Sequence, residues 1–346
     1  MKACTILALI LCFLLQASQP SLAASASPFD YEPPRTQWGM PDLQGVWNFS
    51  STVPLQRPEE FGERQFLTDE EVTASQAQRF GIGSRASDTP VRSASGVEAF
   101  YNDTIWMENV RGNGNVRTSR IVFPLNGRIP ALAEGVENQP GGEVETAGER
   151  PVRFVIGGIG RDGPEDRGLS ERCLVGFNSG PPLSPSVYNN NLQIIQNKDH
   201  VVILTEMVHD ARIVYLDNRL PLSDSIGLWS GDSRGHWDGD SLVVVTRNFN
   251  GMTQSFDGYG SSENKVLTER FTRIGEQTIN YEFTLDDPSS FTDMLIGILP
   301  MTRVDAQLYE YACHEGNYGM ANMLRGARRR DANRVSDGVA DLFRDR

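Results

Sequence analysis

Between residues 191 and 313 the chain is a succession of short apolar runs separated by turns. The runs at 192–196, 201–207, 211–216, 235–237, 241–249, 267–273, 278–285, 294–303 and 308–313 are rich in the β-branched and aromatic residues that fit a pleated, half-buried surface. Asp238-Gly239 between two of them is a strong hairpin signal, and residues 274–277 make another short connection. About nine short strands joined by turns rather than helices form an antiparallel meander, which closes into a barrel or folds as a sandwich. The expected fold class is therefore mainly β.

The chain before residue 191 has a different texture. Lys2, the apolar run at 5–15, and the small residues of Ser21-Leu22-Ala23 and Ala24-Ser25-Ala26 make residues 1–23 an export signal. That run is too short to span a bilayer, and no other segment approaches the roughly 20 apolar residues a transmembrane helix needs. A periplasmic or secreted protein without a transmembrane segment is expected. Residues 24–190 read as an N-terminal arm, a first strand at 43–49, a helix and long loops packed on the body. The arm carries Pro28, Pro33 and Pro34, and Thr68 with Glu71 forms a capping box before the helix. Residues 81–115 read as a surface excursion pinned by Phe100, Tyr101, Ile105 and Trp106, and 120–124 as a further strand. The β body, 191–330, ends in a helix with Met320, Met323, Leu324 and Ala327 on one side. Arg328-Arg329-Arg330 sit where a helix C-terminus favours positive charge, and 331–346 form a polar tail.

Charge and cysteines restrict partners and compartment. The 346 residues carry 32 Lys+Arg against 45 Asp+Glu, a formal net charge of −13, with no large basic block. That balance argues against nucleic acid and against anionic membrane surfaces. Loss of the signal would remove Cys4 and Cys12, leaving Cys173 and Cys313 as an even pair in an oxidising compartment. A disulfide between them is the natural expectation, closing a loop of about 140 residues for roughly 4 to 5 kcal/mol in the chain-entropy model. Two buried free thiols are the alternative.

Established catalytic motifs are missing. There is no G-x-S-x-G elbow, H-E-x-x-H, C-x-x-C, Walker A or dinucleotide fingerprint; Gly157-Gly158-Ile159-Gly160 is followed by Arg161-Asp162-Gly163-Pro164, which reads as a turn. Three of the four histidines lie in acid-rich segments: His209 with Glu206, Asp210 and Arg212; His236 with Asp232, Arg234 and Trp237; His314 with Glu315 and Tyr318. A carboxylate fixes an imidazole tautomer and raises its basicity, as a general base or a metal-bound histidine requires. His209, Asp210, Arg212, His236, His314 and Glu315 are the candidate catalytic residues, with Glu206, Arg234, Trp237, Asn190 and Tyr318 as candidate substrate contacts. Arg212 or Arg234 would stabilise an oxyanion or clamp a substrate carboxylate. The alternative use of His209, His236 and His314 is to bind one divalent metal; no other cofactor is indicated. The polar segment 161–173 reads as a salt-bridged loop that Cys173 would tie beside His314, where it would wall the site. Asn189-Asn190-Asn191 reads as a turn or as amides for a polar ligand.

Two resemblances follow from these residues. The motif Gly45-Val46-Trp47 is similar to the G-x-W that opens lipocalin-type barrels and, with the meander, implies a lipocalin-like barrel. The segments 41–47, 163–173, 206–212, 231–240 and 311–318 (PDLQGVW, GPEDR with SERC, EMVHDAR, GDSRGHWDGD, YACHEGNY) resemble a large family of exported bacterial proteins to which no activity is attached. That resemblance spans nearly the whole mature chain and transfers no catalytic residue.

Two functional classes stay open. One is an exported enzyme acting on a small organic molecule by His/carboxylate acid–base or metal-assisted chemistry of lyase, isomerase or hydrolase type. The other is a lipocalin-like carrier of a small apolar or aromatic ligand whose histidines are structural. Convergence of the three imidazoles in one pocket favours the enzyme, and their scatter over the outer face counts against that constellation.

Overall fold

Along the strands every second side chain is buried: Leu192, Ile194 and Gln196, then Val201, Ile203 and Thr205, then Ile279, Tyr281, Phe283 and Leu285. The pleat sends these to one face, and the sheet curls around them. The computed structural model describes residues 31–73, 117–136, 155, 163–217 and 219–344. Its strands are β1 (Gly45–Asn48), β2 (Ile121–Phe123), β3 (Asn191–Gln196), β4 (His200–Thr205), β5 (Ala211–Tyr215), β6 (Asp232–Asp238), β7 (Ser241–Arg247), β8 (Val266–Gly275), β9 (Thr278–Asp286) and β10 (Leu295–Val304). The export signal read at 1–23 and the excursion at 81–115 lie outside the described residues.

Closure comes from β1, whose Val46 pairs with Gln193 of β3 on one edge and with Val304 of β10 on the other. A closed nine-stranded barrel results, with β2 as a tenth strand beside the start of β10. This settles barrel against sandwich, and it leaves β1 and β10 without open edges where they meet. Pro300, which has no N–H to donate, falls on β10 between the residues paired to β2 and those paired to β1.

Two expectations of the meander are corrected. β5 and β6 run parallel, meeting at Tyr215 and Arg234, because the segment 216–231 carries the chain back before β6 begins. Gly235 permits this seam: a Cβ there would stand 2.6 Å from Val214 and 2.9 Å from Leu216. The run 308–313 is not a strand. It pairs with none of the ten strands, and its Tyr311 carbonyl faces His209 Nδ1 and accepts from the Cys313 N–H.

The interior is filled. Trp47, Phe271, Tyr281 and Phe283 pack with Leu242, Val244, Leu299 and Met301 in one continuous core. At one end the segment preceding β3 plugs the barrel, burying Leu183, whose N–H donates to the Tyr281 hydroxyl at 3.1 Å. At the other end Gln196 accepts the Leu43 N–H at 2.6 Å and donates to the Pro41 carbonyl at 3.1 Å.

Outside the barrel, Cys173 and Cys313 are joined in a disulfide with Cα atoms 5.7 Å apart across a separation of 140 residues. The capping box forms, with the Thr68 N–H donating to Glu71 at 2.8 Å and the Glu71 N–H to Thr68 Oγ1 at 3.3 Å. Helix α1 (Tyr318–Arg344) runs through the residues read as a polar tail, so Arg328, Arg329 and Arg330 lie mid-helix and not at its end. It docks through the buried Ala327 and through Met323, whose sulfur accepts from Arg167 at 3.0 Å. Among the described residues no helix is long and apolar enough to cross a membrane.

Gly297 on β10 faces inward beneath the Phe283 ring, and a Cβ there would stand 2.4 Å from that ring. Gly297→Ala is expected to cost about 1 to 3 kcal/mol by overpacking, with part recovered in the Gly297→Ala/Phe283→Leu double variant. Urea denaturation of the three proteins measures both quantities; an unchanged midpoint for the single variant would contradict this packing.

Candidate functional site

After β4 the chain turns through Met207, Val208 and His209, and the last two hold φ values of 63° and 47°. A β-branched residue in the left-handed region is a genuine outlier, and such strain persists only where the surroundings enforce it. Here they do. Met207 and Val208 are buried against Cys173, with Phe177, Tyr188, Tyr311 and Cys313 around them. The turn leaves His209 exposed, with Nδ1 3.0 Å from the Tyr311 carbonyl. A carbonyl can only accept, so Nδ1 carries the proton in this contact and the neutral ring keeps its lone pair on Nε2.

At this rim lies a cleft of about 460 Å³, lined by Ser170 and Glu171 on one side and by residues 310–313 and Asn317 on the other. The disulfide joins its two walls. Asn317 donates to the Glu171 carbonyl at 3.0 Å and braces the same junction. The Glu171 carboxylate is held by Arg167 at 3.2 Å and by the Gly168 N–H at 3.0 Å, an ion pair within the loop that lines the cleft; Arg161 and Asp162 of that loop lie outside the described residues. Next to His209, burial pushes the Asp210 carboxyl above the usual carboxylate range, opposed by Arg212 and His209.

Beneath the rim, Arg212 points from β5 into the barrel. It donates to both oxygens of Glu269 on β8, a fully buried carboxylate, with Nη2 2.9 Å from Oε1. The Tyr281 hydroxyl donates to the same Oε1 at 2.8 Å. Burial opposes the charged guanidinium, yet Glu269 holds Arg212 above its ordinary value; burial, reinforced by Glu269, pushes Tyr281 well above 10. A second buried polar group sits where β8 begins. Lys265 Nζ lies 4.1 Å above the Phe249 ring and donates to the Ser255 carbonyl at 3.2 Å. Burial lowers it to about 8, against the pull of Asp287 and Glu269. Asp287 in turn accepts hydroxyls from Ser255, Ser289 and Ser290.

The structure therefore redistributes the expected site residues. His209, Asp210 and the crosslinked segment share the rim. Arg212 is enclosed with Glu269, and Arg234 donates through Nε and Nη2 to Asp232 at 3.0 and 2.7 Å, so neither is free to clamp a carboxylate. His236 opposes Val243 and faces outward from β6, while its neighbour Trp237 packs on the core. Asn190 is a staple, accepting the Ser186 N–H at 2.7 Å and donating to the Ser186 carbonyl at 2.8 Å. Glu206 accepts from Asn191 at 2.8 Å. His314, Glu315 and Tyr318 are exposed. Among the described residues no three His, Cys, Asp or Glu side chains are grouped to hold a metal, so His209, His236 and His314 do not assemble the three-histidine site.

Glu310, Tyr311, Glu269, Tyr281 and Lys265 were not singled out by the sequence. For Glu269 the signal was present: it shares the inward register of Leu267 and Phe271, and a carboxylate at that register must find a partner. Comparison of the chain with models of protein families, with curated proteins and with solved structures returns no match.

Two outcomes follow. Arg212→Met leaves Glu269 buried without its cation and is expected to cost about 3 to 5 kcal/mol in chemical denaturation; an effect under about 1 kcal/mol, the size of an exposed pair, would contradict the burial. Lys265 titrates near 10.5 when unfolded and about 8 when folded. The folded state thus binds fewer protons between those values, and its stability rises with pH through that window on this group's account, the full cost being present below about 8. Heteronuclear titration of the Lys265 side chain should show a midpoint near 8, and a midpoint at the unfolded value would refute it.

Proposed function

We propose that this chain is an exported enzyme that moves a proton on a small organic molecule held in the rim cleft, with His209 as the general base. The observation that carries the proposal is the backbone strain at Val208 and His209, whose ring meets the cleft residue Tyr311 at its carbonyl. Strained residues concentrate where geometry serves function, and this strain turns an imidazole to solvent with its Nδ1 oriented by a carbonyl. Nε2 is then the atom that takes the proton. Asp210, whose carboxyl burial keeps above the usual range, is the nearby group suited to share or return it. Abstraction from carbon leads to lyase or isomerase chemistry, and activation of water leads to hydrolysis. Export is supported by the signal-type N-terminus of the sequence and by the disulfide at the site.

The carrier reading draws less support. A lipocalin-like carrier holds its ligand inside the barrel, and here the interior is occupied by Trp47, Phe271, Tyr281, Phe283 and the Arg212–Glu269 pair.

Activity screening of the purified protein against small-molecule libraries, with His209→Gln and His236→Gln as paired controls, tests the proposal. His209→Gln is expected to lower kcat/KM by about 10²- to 10⁴-fold, and His236→Gln to leave it within about twofold because that ring lies on the outer wall. Full activity in the His209 variant would sink the assignment.

A further inference from the structure

We infer that the ligand of the rim cleft is an organic cation, an amine or quaternary ammonium compound bearing an apolar or aromatic group; this rests on the reading of the cleft as a small-molecule site. The first support is the positive charge that has been taken up elsewhere. Arg167 is tied to Glu171 and to Met323, Arg212 is enclosed with Glu269, and Arg234 is held by Asp232, while Arg172, beside the lining residue Glu171, has only the Glu165 carbonyl at 3.5 Å and no ion pair among the described residues. Neither Arg212 nor Arg234, the two arginines expected to clamp a substrate carboxylate, is left to do so.

The second support is what the cleft does present. Glu310 lines it, stands exposed and makes no ion pair among the described residues. Tyr311 lines it too, half-buried against Met207, Val208 and the disulfide. A phenol ring has a negative face that attracts a cation within about 6 Å, and aromatic faces combined with a carboxylate are the usual means of binding alkylammonium groups. A free carboxylate ligand would meet Glu310 with no compensating cation. The formal charge of −13 acts in the same direction, raising the concentration of small cations around the molecule.

The test uses the whole protein and two probes that share a benzene ring, benzyltrimethylammonium and benzoate, followed by amide chemical shifts in NMR. Benzyltrimethylammonium is expected to perturb residues 310–313 and Asn317, and benzoate to leave them unchanged. Tyr311→Leu should weaken binding roughly 3- to 30-fold and Glu310→Gln about fivefold. Because Glu310 is exposed, its variant keeps the test decisive if the packed Tyr311 position does not tolerate change. Equal perturbation by benzoate, affinity unchanged in Glu310→Gln, or no perturbation of the cleft by benzyltrimethylammonium overturns the inference. If that happens while turnover still depends on His209, only the ligand class falls. If neither cation binding nor His209-dependent turnover is found, the site itself falls with it.

Discussion

The Arg212–Glu269 pair is the interaction on which the barrel and its rim both depend. Removing two charges from water costs several kcal/mol per ion, and the attraction between them offsets this only when the remaining hydrogen-bonding positions are filled. Here both carboxylate oxygens accept from the guanidinium and one also accepts from Tyr281. β5 is paired along its length with β4 but meets β6 at a single register position, Tyr215 with Arg234. The ion pair ties that weakly seamed strand across the interior to β8. Through Tyr281, which accepts the Leu183 N–H, the same network reaches the segment that plugs the barrel. Strand seam, core and plug are thereby one unit.

The rim follows from that anchoring. Arg212 lies three residues after His209, so fixing its side chain inside the barrel limits where the preceding turn can go. The turn completes the reversal by placing Val208 and His209 in the left-handed region, and burial of Met207 and Val208 against Cys173 offsets the strain. Cys173 has its position because Cys313 crosslinks it, and the segment carrying Cys313 also supplies the Tyr311 carbonyl that orients His209. A loop and a tail far apart in sequence therefore form the two walls of one cleft. Their crosslink acts on the unfolded state by shortening its accessible loop and on the native state by holding the imidazole's acceptor in place.

How much of this was legible in the sequence varies with the range of the interaction. Apolar, β-branched runs bounded by turns are a local property, and they located β3, β4 and β7 to β10 within a few residues; the Thr68–Glu71 capping box is local as well. The parallel seam was not legible, because strand direction depends on the path of 216–231 and not on the composition of β5 or β6. The run 308–313 has a strand's composition, yet strand formation needs a partner edge, and this run pairs with none of the ten strands; it is β1, more than two hundred and fifty residues earlier, that pairs with β10. At the rim, the disulfide was legible because an even pair of cysteines is visible in one dimension, and so was the adjacency of His209 and Asp210, an imidazole beside a carboxylate. Arg212 and Arg234 looked like ligand contacts because their partners are non-local or ambiguous: Glu269 lies on another strand, and Asp232 reads equally well as part of the site.

The distribution of charge explains why the two arginines expected to serve the cleft, Arg212 and Arg234, are not offered to it. Arg167, Arg212 and Arg234 each face a carboxylate, and each of these pairs has at least one strongly buried partner, where an unpaired ion would be costly. Arg328 and Arg329 are exposed near the middle of α1, far from either helix end, so the macrodipole does not account for them. They remain solvated on a helix whose apolar stripe, Met320, Met323, Leu324 and Ala327, is engaged before that point. What the rim retains is Glu310, the imidazole of His209 and Tyr311. A small cation approaching a molecule of net charge −13 gains from the whole field at long range and from Glu310 at short range. An anion of the same size is opposed by both, so the field favours one sign of small ion before any contact is made.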